Sequence, residues 1–181
     1  MTATRVTIVY ESMFGSTRRI AEAIARGLGS DTATTLVRVT EASDSITDTD
    51  LLIVGAPTHV HGLSRPQTRA DAAKWAADPE RDLELEPATD GIGVREWLDR
   101  VDELPARCAV FDTRADIPEI FSGSAAKKIE HEFRRMRSDP MVERRSFLVD
   151  KQSHLESGEL ERAEEWGREI AAAMHRLVAT V

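Results

Sequence analysis

Residues 8–24, Ile8-Val9-Tyr10-Glu11-Ser12-Met13-Phe14-Gly15-Ser16-Thr17-Arg18-Arg19-Ile20-Ala21-Glu22-Ala23-Ile24, decide the fold of this chain. Val6, Ile8, Val9 and Tyr10 read as an apolar strand that stops at a loop of hydroxyls around one glycine. A helix is predicted from near Ser16, because Ile20, Ile24 and Leu28 recur on one face at helical spacing. A junction of this kind leaves main-chain N–H groups unpaired at the helix N-terminus, where the helix dipole also favours an anion. Ser12, Ser16 and Thr17 add hydroxyls, and Gly15 permits close approach of the backbone. A phosphate monoester suits such a loop. The loop lacks the Gly-Lys-Ser/Thr ending of nucleotidases and the three spaced glycines of dinucleotide binders.

The segment resembles the FMN phosphate loop of the flavodoxin family. The apolar pair Ile8-Val9, then Tyr10, Ser12, Gly15, Thr17, Ala21 and Ile24 meet the family pattern. The resemblance implies FMN as the cofactor, with Ser12, Met13, Phe14, Gly15, Ser16 and Thr17 around its phosphate. It also implies a flavodoxin-like α/β fold, a three-layer α/β/α sandwich on a five-stranded parallel sheet in the order 2-1-3-4-5.

Composition agrees with a soluble globular chain. Of 181 residues, 41% are hydrophobic and 31% charged, enough for one substantial core, so residues 1–181 are expected to form a single domain. The balance of 24 basic and 32 acidic residues leaves a net charge of −8, which argues against general nucleic-acid binding. No apolar run approaches a membrane span, and with Met1–Arg5 leading straight into the first strand no signal peptide is expected. A lone Cys108 rules out an internal disulfide, and the expected address is cytoplasmic.

Strands and helices alternate along the chain, as in a doubly wound sheet. After Gly27 and Gly29 end the first helix, strands are predicted at Thr34–Val39 and Leu51–Gly55, the latter apolar throughout and hence buried on both faces. A fourth is expected at Cys108–Phe111 and a fifth, continuous, at Val142–Val149. Helices are predicted over about 124–137 and 158–178. The connection at about 64–106 is irregular, with helices at about 66–77 and 94–101 around an acidic stretch, 78–91, that reads as a solvated loop.

Ligands of such sheets bind beyond the carboxyl ends of the strands where strand order reverses, which nominates the loops at 12–17, 57–62 and 112–116. By the resemblance, Pro57, Thr58, His59 and Val60 flank the flavin, with His59 where the family often places a stacking aromatic. Asp112, Thr113 and Arg114 begin the third loop, which departs from the family: no aromatic follows until Phe121. A missing stacking partner predicts a loss of about 1–3 kcal/mol, roughly ten- to a hundredfold in flavin affinity. Arg65, Arg69, Arg114, His59 and His61 fall on or near these loops, where they either favour a reduced, anionic flavin or, for the arginines, point to solvent or pair with Asp71 and Asp116.

Other residues are read as structural. His59-Val60-His61 lacks further ligands nearby, so no metal is expected, and Cys108, Trp75, Trp97 and Trp166 are expected to pack. Ser12 and Ser16 have no His/Asp relay, and no catalytic side chain is assigned. The expected function is electron transfer through FMN, to or from a redox partner protein or a small-molecule acceptor. The alternatives are an FMN-dependent two-electron quinone-type reductase and a flavin-free binding or signalling module on the same fold.

Overall fold

The computed structural model describes residues 3–59 and 61–178. The chain runs β1 (Thr4–Tyr10), α1 (Ser16–Leu28), β2 (Thr32–Arg38), a 3-10 turn (Val39–Glu41), β3 (Leu51–Pro57), α2 (Pro66–Ala76), α3 (Val94–Leu98) and β4 (Arg107–Ala115). It continues through α4 (Glu119–Ser122), α5 (Ala125–Arg135), β5 (Asp139–Pro140), β6 (Arg145–Val149) and α6 (Glu159–Val178). All strand pairs are parallel, in the order β2-β1-β3-β4, with β5 and β6 both on the outer edge of β4. That edge is the fifth position of the expected 2-1-3-4-5 sheet.

The apolar run of β3 has the double burial its sequence implies. Leu51 and Ile53 belong to one core, with Ile8, Ile20, Ile24, Phe111, Phe147 and Trp166 beneath α1 and α6. Leu52 and Val54 belong to the other, with Val9, Val94, Trp97, Val110, Ile129 and Phe133 beneath α3 and α5. Successive strand residues point to opposite faces, so one strand serves both cores. Phe111, Phe147 and Trp166 meet edge to face in a triangle with centroid separations of 6.1–6.3 Å.

Three sequence expectations need correcting. Gly27 does not end α1 but lies inside it and faces Gly167 of α6. A β-carbon at Gly27 would stand 2.0 Å from the Glu164 carbonyl oxygen, so the glycine lets two helix backbones touch. The fifth strand is not continuous from Val142 to Val149. Arg107 and Cys108 pair with Asp139 and Pro140, whereas Phe111 pairs with Arg145, so four residues, Met141–Arg144, bulge opposite two of β4. Pro140 has no N–H for the ladder, and Met141 and Val142 turn inward against the first core. Finally, β4 extends four residues beyond Phe111, which makes Asp112, Thr113 and Arg114 strand residues instead of loop residues.

Candidate functional site

The loop after β1 is held open by its own backbone. The Glu11 amide donates to the Gly55 carbonyl at 3.0 Å, tying the loop's start to β3. Ser12 Oγ accepts from the Gly15 amide at 3.1 Å, and Gly15 takes a left-handed φ of 89°. The Arg19 amide then bonds the Gly15 carbonyl at 2.9 Å and α1 begins. The amides of Met13, Phe14, Ser16 and Thr17 have no acceptor among the described residues. Four free donors therefore lie together at the N-terminus of a thirteen-residue helix.

The predicted hydroxyls are present with partners. Thr17 Oγ1 lies 2.8 Å from Thr113 Oγ1, linking the first loop to β4. Ser16 Oγ donates to the Ser153 carbonyl at 2.6 Å, linking it to the loop after β6. The acidic stretch is not a free solvated loop here. The Glu86 amide donates to the Met13 carbonyl at 2.8 Å, and its carboxylate accepts from Arg18 Nε and Arg38 Nη2, each at 2.9 Å. A β-carbon on Gly15 would lie 3.2 Å from Glu86 Oε1, so position 15 is restricted by space as well as by φ. His154, to which the sequence assigned no task, reaches the same stretch through Nε2 and the Asp82 carbonyl at 3.0 Å.

A cavity of about 310 Å³ opens above these groups, within the size range of small-molecule sites. The first loop contributes Ser12, Met13, Phe14, Ser16 and Thr17, the second Pro57, Thr58 and His59, and the end of β4 Thr113, Arg114 and Ala115. Val60 lies outside the described residues. The structure therefore brings parts of all three nominated loops to one cleft, but two of the described candidate site residues, Gly15 and Asp112, do not line it. Asp112 is fully buried behind it, where Oδ2 accepts from Ser124 Oγ (2.6 Å), the Ala126 amide (3.0 Å) and Thr58 Oγ1 (3.1 Å). Its carboxylate serves the N-terminus of α5 and braces the second loop. The strand's alternation explains this: Asp112 and Thr113 face opposite sides of the sheet.

Two further walls went unforeseen. One is the loop after β6, with Val149, Asp150, Lys151 and Ser153; the other is the face of α2 carrying Thr68, Asp71 and Trp75. Spacings of three and four residues were the available signal for that face. Trp97 and Trp166 pack as expected, but Trp75 is 44% exposed.

Charge at the cleft is simpler than the sequence implied. Burial, reinforced by the Arg69 guanidinium, pushes the His59 imidazole down to a pKa of about 4, so it is neutral at pH 7. Arg69 is buried, 3.0 Å from Ser64 Oγ and 3.2 Å from Glu96. Arg114 lines the cleft but is anchored, with Nη1 donating to the Ile117 carbonyl at 2.6 Å. Beneath the first loop, Glu11 is buried and its carboxyl pKa is raised by burial. No group of His, Cys, Asp and Glu among the described residues is placed to hold a metal ion, and no described helix is long and apolar enough to cross a membrane.

Comparison with known proteins agrees with this fold. The Flavodoxin family model matches residues 8–97. Flavodoxin 1 from Bacillus cereus, in its oxidised form, is 18% identical with a TM-score of 0.64, over 93% of this chain and 98% of its own. A flavodoxin from the domain Archaea is also 18% identical with a TM-score of 0.60, over 93% of this chain and 97% of its own. The Flv1 flavodiiron core from Synechocystis sp. PCC6803 is 21% identical with a TM-score of 0.62; the match covers 97% of this chain but 37% of that one. A search of curated sequences found no significant match. With the family's sequence model matched from β1 into α3 and its sheet order present, this chain belongs to the flavodoxin family.

Proposed function

We propose that this protein binds FMN in the cleft and passes electrons through the bound flavin, exchanging them with a redox partner protein or a small-molecule acceptor. One observation carries the reading: the free amides of Met13, Phe14, Ser16 and Thr17 share an N-terminal helix end that opens into the cavity. That donor set suits a phosphate dianion. The flavin, when bound, supplies the electron-transfer chemistry. The protein's residues hold and orient it. Ser12 and Gly15 fix the loop's shape, and the Thr17–Thr113 hydroxyl pair offers a donor at the phosphate end. Pro57, Thr58 and neutral His59 form an uncharged wall, while Arg114 holds a positive charge that favours the more negative redox state of whatever lies against it.

The test is an absorbance titration of the purified protein with FMN, followed by calorimetry on Thr17→Ala. The variant should lose about 1.5–3 kcal/mol of FMN affinity, the worth of a charge-assisted hydrogen bond, and little riboflavin affinity. Equal losses for the two ligands would remove the phosphate from this loop.

A further inference from the structure

Trp75 is the anomaly of this molecule. Trp97 and Trp166 are 0% and 1% exposed, whereas Trp75 leaves 44% of its surface open. Its helix, α2, buries only Arg69 and Ala72 and turns Thr68, Asp71 and Trp75 into the cleft. The Arg81 guanidinium lies over the indole, 5.2 Å from the ring centroid, and Arg81 does not itself line the cavity. One face of the ring is thus covered from outside the cleft while the indole still borders it.

The other rings on the cavity wall are Phe14 and His59. Phe14 belongs to the loop whose amides make the anion seat, and His59 offers a smaller, more polar surface. The end of β4 contributes Thr113, Arg114 and Ala115, with no ring. A planar aromatic ligand with an anionic tail therefore finds its largest flat apolar surface on α2. Resting on the FMN reading above, we infer that the isoalloxazine lies against the indole of Trp75, so that α2 supplies the stacking surface that the loop after β4 lacks. The site is completed by a helix from the β3–β4 connection.

The experiment measures FMN and riboflavin affinity and flavin fluorescence for the unmodified chain, Trp75→Ala and Trp75→Phe. Trp75→Ala should weaken both ligands by the same factor, about ten- to a hundredfold, because the contact is with the ring and not the phosphate. Flavin emission, quenched by a stacked indole, should rise in bound Trp75→Ala, and Trp75→Phe should restore most of the affinity. Thermal unfolding of the apo variants serves as the control for folding, since an exposed indole contributes little to packing. Unchanged affinity and quenching in Trp75→Ala would overturn this inference alone. Failure of the unmodified chain to bind FMN at millimolar concentration would overturn the flavin reading and this inference with it.

Discussion

Two helices of one connection, α2 and α3, put their tryptophans to opposite uses. The five residues of α3 bury Val94, Trp97 and Leu98 in the second core, and Trp97 Nε1 donates to the Ser43 carbonyl at 2.9 Å. The eleven residues of α2 bury only two side chains, and one of them is the charged Arg69. The shorter helix is a piece of the core and the longer one is a wall of the cleft. α5 packs on β3 and β4, and α3 adds Val94, Trp97 and Leu98 to the same core, whereas α2 adds none of its side chains to it. A helix excluded from the core in this way is free to present side chains to a ligand.

Truncating the two indoles gives the sharpest contrast. Trp97→Ala should cost about 3–5 kcal/mol of stability, by loss of transfer energy and creation of a cavity. Trp75→Ala should change stability by about 0.5 kcal/mol or less. Urea unfolding measures both, and comparable losses would mean that α2 is part of the core after all.

The second effect concerns His59, which stands where β3 gives way to the path into α2. An unfolded chain protonates this imidazole near pH 6.5, the folded protein only near pH 4. Between those values the unfolded state holds a proton that the folded state lacks, so stability is complete above pH 6.5 and falls as the pH drops towards 4. The contribution is at most about 3 kcal/mol. His59→Gln should flatten that part of the stability–pH curve, and an unaltered slope would place its origin elsewhere.

The smallest effect tests how the 78–91 stretch is fastened to the first loop. Glu86 bridges Arg18 and Arg38 with its side chain 10% exposed, and the Arg18 guanidinium is held charged by its bonds to Glu86 and Glu22. Glu86→Gln should cost about 1–2 kcal/mol, and the difference from the unmodified chain should shrink in 1 M salt. A difference that is independent of salt would assign the loss to packing instead of charge.

The parts of the molecule legible in sequence are those whose signal is local. The apolar run of β1 and the helical spacing of α1, with Gly15 between them, locate the loop with free amides because those donors are main-chain groups that any such junction exposes. The apolar run Leu51–Val54 likewise announces a strand buried on both faces. Asp112 was misplaced because its role depends on β4 continuing past Phe111 and on α5 beginning beside it in space, fourteen residues later for Ala126. Glu86 and Trp75 were misread for the same reason: one docks on Met13, Arg18 and Arg38, and the other borders a cavity whose remaining walls lie far away in the chain.

By itself, then, the sequence determined the order of strands and helices, the two-sided core and the strand–loop–helix junction after β1, because each is written in residues that are neighbours along the chain. Only the tertiary structure decided which helix was left off the sheet, which carboxylate braces a helix instead of facing the cleft, and which tryptophan remained exposed. Those outcomes depend on packing between segments distant in sequence.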